Sequence, residues 1–493
     1  MSFGLFSCVN AATAGSSTVC RTSVRPRLSD HTDRALTRCQ QNADGTSQEN
    51  PAPGRNRPLD LRCPPPASLH GRDHCVIRHT ERGRPVRTII EPPDPGLLQE
   101  ARKLLPDVVS LRRQIHREPE VGLHLPRTQR AVLEAIGDLG LTVTVGRSLS
   151  SVVAVLEGAR PGRTLLLRAD MDALPQQENN GLPFASGSPG VMHACGHDTH
   201  TAMLVGAARL LAARRRRLAG RVVFMFQPGE ELGGGASRMI EEGVLSGPDG
   251  TPPVAGAFAL HVNTRHELGT VHLRAGTQYA AADMLRITVR GRTGHAAAPH
   301  RLLDPVPVAC EIVQALQSMI TRTVNVVDPA VLTITTLTAG QAFNVIPETA
   351  ELTGTYRTFS ESTRRTVREG IARVAHGVAA AHGATAEVEL PEGYPPARND
   401  PDFTALVRHA VSGVLDPSAV HEQPDPNMGG EDFAYVLQRV PGAIASLGAC
   451  PAGRTPGTVP DNHSDRVIHD EEAMAAGVAV HCAVAETFLG GDA

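Results

Sequence analysis

The spacing of apolar and polar residues changes its period along the chain. A helical pattern begins in "DPGLLQEARKLLPDVVSLRRQIHREPE", and a second amphipathic stretch covers residues 127–139. Short apolar runs bounded by Gly and Pro follow, namely "SSVVAVLEG", "RTLLLRADMDAL", "RVVFMFQPGEE" and "PVAGAFALHVNT", and "TAMLVGAARLLAARRRRLAG" with helical spacing lies among them. Strands that are apolar throughout are typical of a sheet covered on both faces. This alternation predicts an α/β fold, a mixed, largely parallel sheet with helices on both faces.

A second pattern occupies about residues 283–388, where the strands alternate apolar and polar residues. The strands "MLRITVRG", "VLTITTLTAG" and "AELTGTYRTF" are separated by helical segments at residues 306–320 and 361–381. This order is that of a ferredoxin-like α+β domain. The first pattern returns in "GAIASLGA" and "EEAMAAGVAVHCAVAETFL". We therefore predict a sheet domain formed by residues 93–278 and 389–493, interrupted by an inserted domain of residues 279–388.

Residues 1–92 differ from the rest, because they are rich in Ser, Thr, Pro and Arg and lack apolar periodicity. Such a composition predicts a disordered tail or an overextended start. Two other interpretations stay open. Residues 1–28 contain arginines but no acidic residue, a bias shared with organelle transit peptides. A small metal-binding module is the other, although its spacings fit no common zinc pattern; its residues would be Cys63, His70, His74, Cys75 and His79.

The composition narrows the class of protein. The chain has 493 residues, a hydrophobic fraction of 41%, a charged fraction of 20% and a net charge of −3. These values indicate a soluble protein and give no reason to expect nucleic acid or a membrane as a partner. No apolar run approaches the roughly 20 residues that span a bilayer. Outside the tail there are too few cysteines for a disulfide framework, so we expect a reducing, cytoplasmic setting.

Side chains that bind metals cluster around the ends of the predicted buried strands. They are Asp170 and Asp172 after "TLLLR", Glu230 and Glu231 after "VVFMF", His261 in "ALHV", Cys195 and His197 before a helix, and His463 in a later loop. Each has an ordinary structural explanation when taken alone. In open α/β sheets, however, ligand sites form outside the carboxyl ends of the strands. Their convergence favours a metal centre, since a bound dication makes adjacent like charges tolerable.

Cys195 also suggests two alternatives to a metal centre. A cysteine nucleophile with His197 as its base would leave Glu231, His261 and His463 without a role. A redox role would need a second cysteine at the spacing of a Cys-x-x-Cys pair, which the sequence lacks. The metal centre is therefore the favoured hypothesis.

Eight ordered motifs carry a resemblance to the M20 metallopeptidase family. They are "LRADMDALP", "MHACGHDTHTAML", "FQPGEE", "ALHV", "GHAAAPH", "FNVIPETAELTGTYRTF", "GGEDFAY" and "NHSD". The chain is most similar to the amidohydrolase branch, which includes hippurate hydrolases, indole-acetyl-amino-acid hydrolases and N-acyl-amino-acid amidohydrolases. The resemblance covers the chain from about Leu97 to the C-terminus.

The resemblance implies a site with two divalent metal ions, zinc or manganese first, with cobalt or nickel also acceptable. Its ligands would be Cys195, His197, Glu231, His261 and His463. Glu230 would be the general base, and Asp172 would orient a ligand histidine. More distant family members carry His-x-Asp where this chain has Asp170-Met-Asp172, so Asp170 is not counted as a ligand.

The resemblance also implies that the inserted domain is a lid and a dimerisation domain. His295 resembles a histidine that stabilises the oxyanion, often in the active site of the other subunit of the dimer. Asn344 and Arg357 would bind the substrate. The implied activity is cleavage of the amide of an N-acyl amino acid into a carboxylic acid and a free amino acid, by a homodimer. An N-acetyl-amino-acid deacetylase or a dipeptidase remains an alternative, and a catalytically silent relative that binds a small amide is a more distant one.

Overall fold

The computed structural model describes residues 75–81, 84–90, 93–231, 233–246 and 253–490. The strands, in chain order, are β1 (Cys75–Glu81), β2 (Arg84–Ile90), β3 (Thr142–Val145), β4 (Val152–Glu157), β5 (Arg160–Asp170), β6 (Ala219–Gln227), β7 (Val254–Asn263), β8 (Val271–Leu273), β9 (Gly276–Tyr279), β10 (Ala281–Arg290), β11 (Gly294–His295), β12 (Ala330–Ala339), β13 (Val345–Ile346), β14 (Thr349–Thr358), β15 (Thr385–Glu389), β16 (Ala397–Asn399), β17 (Val420–Glu422) and β18 (Gly442–Gly448). The α-helices are α1 (Leu97–Arg117), α2 (Pro126–Ile136), α3 (His197–Ala213), α4 (Gly235–Glu241), α5 (Pro305–Thr323), α6 (Glu361–Ala381), α7 (Pro401–Val414), α8 (Ala434–Leu437) and α9 (Ala473–Gly490).

The central sheet has eight strands in the order β17-β8-β18-β7-β5-β6-β4-β3. Its middle is parallel, because β18 pairs with β7, β7 with β5, and β5 with β6 in the same direction. The edges are mixed, since β4 runs antiparallel to both β6 and β3. A core that includes residues of α1, α3, α7 and α9 covers one face, and a smaller core with residues of α4 and α8 covers the other. The predicted sheet with helices on both faces is confirmed.

The inserted domain has its own sheet and its own core. Its strands lie in the order β12-β14-β10-β15 and every pair is antiparallel. Residues of α5 and α6 pack with this sheet around buried side chains such as Leu316, Leu352 and Ile371. The chain order strand–helix–strand–strand–helix–strand confirms the ferredoxin-like arrangement. The two crossings between the domains lie just before β10 and just after β15.

The predictions for the tail are only partly covered by the described residues. The structure describes β1 and β2 as an antiparallel hairpin in which Cys75 is opposite Ile90. The composition did not predict this hairpin, because its strands have no apolar alternation. Cys63, His70 and His74 of the suggested metal-binding module, and the whole suggested transit peptide, lie outside the described residues.

Helix α9 is the one helix among the described residues that is long and apolar enough to cross a membrane. However, 89% of this 18-residue stretch is buried inside the protein. It packs against α1, α3 and α7 beside the central sheet. The burial identifies α9 as a helix of the protein core.

Close packing of α3 against its neighbours depends on Gly206. A Cβ atom at this position would lie 2.7 Å from Val478 Cγ2 of α9 and 2.9 Å from Val108 Cγ2 of α1. Gly206→Ala should therefore lower the free energy of unfolding by about 1–3 kcal/mol, since overpacking forces the helices apart. Gly377 on α6 is the matched control, because a Cβ there meets nothing within 4 Å. Gly377→Ala should instead stabilise by about 0.5–1 kcal/mol through helix propensity. Denaturant unfolding of both variants checks this, and the same sign of change for the two would contradict it.

Candidate metal centre

The carboxyl ends of β5 and β6 deliver a group of acidic side chains to one edge of the central sheet. The strands are in parallel register there, with Asp170 opposite Gln227. After β5 the chain reaches Asp172, and its carboxylate accepts hydrogen bonds from the backbone N–H groups of Glu230 (2.9 Å) and Glu231 (3.1 Å). Asp172 therefore fixes the turn that carries the two adjacent glutamates.

His197 is the first residue of α3 and is fully buried among these carboxylates. Its Nδ1 lies 3.4 Å from Asp172 Oδ1, and its Nε2 lies 3.5 Å from Asp170 Oδ2 and 3.9 Å from Glu231 Oε1. Neither ring nitrogen makes a well-formed hydrogen bond within the described part of the chain. Burial lowers the pKa of His197, but Asp170, Asp172 and Glu231 outweigh it and raise the pKa to about 10. The pocket around this ring therefore favours a positive charge.

Two further histidines present a ring nitrogen to Cys195. His261 Nε2 lies 3.4 Å from Cys195 Sγ, while its Nδ1 is 2.8 Å from the carbonyl oxygen of Val262 and donates to it. This backbone bond sets the tautomer and leaves Nε2 free to act as a ligand. His463 Nε2 lies 3.2 Å from Cys195 Sγ and 3.2 Å from Glu231 Oε1.

The loop that carries His463 holds it in an uncommon backbone conformation. Its φ is +68°, the one positive value at a non-glycine residue among the described residues. The backbone N–H of His463 donates to Ala194 O at 2.8 Å. Next to it, the Asn462 amide donates to Cys195 O (3.2 Å) and Val262 O (3.0 Å), and so ties this loop to the segments that carry Cys195 and His261. Backbone strain of this kind persists where the surrounding contacts over-determine it, often at functional sites.

The ligand atoms fall into two groups that share one side chain. Cys195, His197 and His261 form one group, and Cys195, Glu231 and His463 form the other; within each, one ligand atom per residue lies within 4.8 Å of the rest. Burial, with Glu231 and Glu230 nearby, raises the pKa of the Cys195 thiol well above its usual range. A bound dication reverses this, because coordination stabilises the thiolate. The donor set, one thiol with imidazoles and a carboxylate, fits two divalent ions around Cys195.

A neighbouring group of Asp170, His197 and His200 has a different character. His200 Nδ1 donates to Asp170 Oδ1 at 2.6 Å, and His200 Nε2 accepts the backbone N–H of Val262 at 2.8 Å. Burial lowers the pKa of His200, which keeps this ring neutral. Both nitrogens of His200 are therefore occupied, and the residue joins α3 to β5 and β7 rather than offering a ligand.

Arg168 is at the centre of a buried polar network that the sequence analysis missed. Its guanidinium contacts Asp170 Oδ2 (2.6 Å), Glu431 Oε1 (2.9 Å) and Asp432 Oδ1 (3.1 Å), and its Nε donates to Gln227 (2.9 Å). The available signals were an arginine inside the apolar strand "TLLLRAD" and the acidic pair in "GGEDFAY". Neither signal identifies the partner of Arg168, because Glu431 lies 263 residues after it in the chain.

Glu230 lies between this network and the ligand groups. It is buried, and the backbone N–H of Asp432 approaches its Oε1 at 3.4 Å. Burial, together with Glu431, Glu231 and Asp432, raises the pKa of Glu230 well above its usual range. Burial also raises the pKa of Asp432, to about 7, against the opposing effect of Arg168. Acidic side chains are therefore crowded together at this edge of the sheet.

The structure places the residues predicted on the inserted domain in two different settings. His295 and Asn344 are exposed neighbours, joined through the β11–β13 pairing and a 3.0 Å bond from Ala296 N–H to Asn344 O. No hydrogen bond or ion pair among the described residues connects either of them to the metal-ligand groups. Arg357 on β14 is half-buried, and its Nη1 would lie 3.3 Å from a Cβ at Gly430, beside Glu431. Within one chain, then, Arg357 is close to the site whereas His295 and Asn344 make no contact with it.

Comparisons of the sequence and of the structure with known proteins point to the same family. A family model described as peptidase family M20/M25/M40 matches residues 166–487. The chain is 37% identical to thermostable carboxypeptidase 1 of Saccharolobus solfataricus over 396 residues, 80% of this chain and 98% of that protein. It is 40% identical to an N-acyl-L-amino acid amidohydrolase of Geobacillus stearothermophilus over 309 residues, 62% of this chain and 81% of that protein. A Bacillus subtilis crystal structure described as a dinuclear metal binding peptidase from the M20 family matches with a TM-score of 0.68 and 32% identity, covering 79% of this chain and 100% of that one.

Removal of the buried guanidinium of Arg168 should lower the free energy of unfolding far more than removal of an exposed arginine. Arg168→Met leaves Asp170, Glu431 and Asp432 without their counter-charge, and we expect the free energy of unfolding to fall by about 3–5 kcal/mol. Arg290→Met is the matched control, because the ion pair of Arg290 with Glu387 is more than half exposed. That change should stay within about 0.5 kcal/mol. Chemical denaturation measures both, and equal effects would show that the network does not depend on Arg168.

Proposed function

Because this chain belongs to peptidase family M20/M25/M40, we propose that it hydrolyses the amide bond of N-acyl amino acids, releasing a carboxylic acid and a free amino acid. The chain is an enzyme that acts on amides. The observation that carries the proposal is the pair of ligand groups that share Cys195, with the buried carboxylate of Glu230 next to them. A related protein that is only a binding module would have no use for this combination.

Two divalent ions would be held by the shared thiolate of Cys195. The first would be completed by His197 and His261, and the second by Glu231 and His463. Zinc or manganese is the metal we propose first, and cobalt or nickel also suits these donors. When bound, two such ions lower the pKa of water and polarise the amide carbonyl.

The residues of the chain itself would manage the proton. Glu230 takes the proton of the attacking water as the new carbon–oxygen bond forms, and returns it to the nitrogen as the carbon–nitrogen bond breaks. Asp172 keeps the Glu230–Glu231 turn in place through its two backbone hydrogen bonds. The two adjacent glutamates thereby have separate tasks, one moving a proton and the other binding metal.

The carboxylate of the amino-acid half of the substrate would be bound by the inserted domain. The Arg357 guanidinium is half-buried beside Gly430 and has no ion pair among the described residues. Burial lowers the pKa of Arg357, and the nearby Asp283 opposes this effect. A planar guanidinium binds a carboxylate through two parallel hydrogen bonds. Asn344, on the same domain, would bind the substrate as that domain closes as a lid.

The homodimer would form through the inserted domain. Strand β12 is at the edge of its sheet, with one side unpaired. Exposed apolar side chains lie on β12 itself (Val331 and Leu337) and in the segments that flank it in the chain (Val326, Val327 and Phe343). An unpaired edge with apolar side chains is suited to pairing with a second copy across a two-fold axis. Such a dimer gives the exposed His295 an active site to reach, namely that of its partner.

The similarity to a carboxypeptidase favours a second candidate function, the release of the C-terminal residue from short peptides, which breaks the same type of bond.

We also propose a cytoplasmic location. It suits the cysteines that form no disulfide among the described residues, namely Cys195, Cys310, Cys450 and Cys482.

The decisive test is release of amino acid from a panel of N-acetyl, N-aroyl and N-indolylacetyl amino acids and dipeptides. We expect turnover of at least one N-acyl class, loss of it after treatment with a chelator, and recovery when divalent metal is added back. Glu230→Gln should lower kcat by about 10²–10⁴-fold, because it removes the proton acceptor. Glu387→Gln, an exposed carboxylate of the inserted domain, is the control and should have wild-type activity. Full activity after removal of metal, or in Glu230→Gln, would refute the mechanism.

Subunit mixing tests the role of His295 across the dimer. His295→Ala and Glu230→Gln should each be nearly inactive alone. A hybrid dimer would contain one intact site, made of Glu230 from one subunit and His295 from the other. Equimolar mixing with free subunit exchange should therefore restore about a quarter of wild-type activity. No recovery, with exchange verified by mass spectrometry, would mean that His295 acts within its own chain, and wild-type activity of His295→Ala alone would mean that it has no role.

A further inference from the structure

The peptide group between Glu230 and Glu231 is held from two sides. Its N–H, on Glu231, donates to Asp172 Oδ2 at 3.1 Å. Its carbonyl oxygen, on Glu230, accepts a hydrogen bond from the hydroxyl of Tyr394 at 2.5 Å. A carbonyl oxygen can only accept, so the hydroxyl of Tyr394 is the donor in this bond. Displacement of this one peptide would move the Cα atoms of both glutamates, because it joins them, and their side chains would move with it.

Tyr394 belongs to the segment through which the chain returns from the inserted domain. It lies between β15, which ends at Glu389, and β16, which begins at Ala397. Its backbone carbonyl accepts the N–H of Ala282 at 2.9 Å, at the start of β10. Ala282 and Tyr394 are therefore paired at the point where the two interdomain crossings run side by side.

The residue before Tyr394 is fixed by a clamp from the inserted domain. Arg364 of α6 makes a two-pronged ion pair with Asp283, with both contacts at 2.7 Å, and donates to Gly393 O at 3.1 Å. Asp283 accepts the N–H of Gly393 at 2.9 Å. A Cβ at Gly393 would lie 1.7 Å from Ala282 O, so the crossing segments approach too closely for any other residue. The clamp thus sets the position from which the Tyr394 side chain extends.

We propose that Tyr394 is a positioning residue that ties the orientation of Glu230 to the interdomain crossing. The inference rests on the proposed function, in which Glu230 moves the proton. Tyr394 touches the backbone of Glu230 rather than the reacting atoms, and acts by holding the Glu230–Glu231 peptide against Asp172. A shift of the inserted domain is passed through Gly393 and Tyr394 to the catalytic carboxylate.

Tyr394→Phe is the test variant, because it removes the hydroxyl and keeps the ring. We expect kcat to fall about 3–10-fold, because the hydroxyl donates to Glu230 O and also accepts the backbone N–H of Gly234 at 3.4 Å, next to the same turn. We expect KM to stay within about twofold and the bound metal to be retained. Tyr356→Phe is the matched control: Tyr356 is buried in the core of the inserted domain, and in the described part of the chain no hydrogen bond joins its hydroxyl to the crossing segments or to Glu230. It should leave kcat unchanged, and an equal loss of kcat in both variants would overturn the proposal.

A double variant separates positioning from general destabilisation. Glu230→Asp keeps a carboxylate but displaces it, so the hydroxyl of Tyr394 should no longer matter. Adding Tyr394→Phe to Glu230→Asp should then change kcat by less than about twofold, whereas independent effects would multiply. A full further loss of kcat in the double variant would overturn the proposal. Wild-type activity in Glu230→Gln would instead refute the proposed function itself, so the two failures are distinguishable.

Discussion

Concentrated negative charge at one edge of the central sheet is the constraint that the rest of the structure must satisfy. Ionised carboxylates removed from water are costly unless they are paired or hydrogen-bonded. Here Arg168 contacts three of them, backbone N–H groups are directed at Asp172 and Asp432, and the N-terminus of α3 lies alongside. Around Cys195, His463 and His197 lie beside the Glu231 carboxylate, at 3.2 Å and 3.9 Å. A bound dication would add positive charge at the same place and would favour the thiolate of Cys195.

Local patterns predicted the fold, which the structure confirms, and they placed the candidate ligand residues at strand ends, where the structure brings them close together. Apolar runs predicted the buried strands, and the ends of those strands predicted where Glu230, Glu231 and His261 would meet. The contacts of Arg168 with Glu431 and of Tyr394 with Glu230 could not be predicted in this way. They join segments more than 160 residues apart, and only the three-dimensional packing brings them together. The β1–β2 hairpin was missed because its strands lack the alternation by which strands are recognised.

The residues of the candidate site are distributed over the sheet domain and the inserted domain. Cys195, Glu230 and the metal-ligand histidines lie together within the sheet domain. Arg357 reaches this domain beside Gly430, while His295 and Asn344 remain on an exposed edge. The groups proposed to react and most of the groups proposed to bind substrate therefore lie on different domains. The candidate reacting groups are held at strand ends and at the start of α3, whereas the position of the proposed substrate-binding groups would depend on how the inserted domain is arranged.

The adjacency of β7 and β18 has a consequence for how the protein is made. These strands are parallel neighbours at the centre of the sheet, yet the entire inserted domain is synthesised between them. During translation β5, β6 and β7 emerge long before β18, α9 and the loop of His463. Until then an apolar sheet face and unpaired strand edges stay open, and such species aggregate readily. The inserted domain, whose contacts are more local, can fold first and keep the two halves of its host within reach. Translation that ends early would release a chain with an incomplete sheet and without the His463 loop. Chaperones and proteases would act on such a chain.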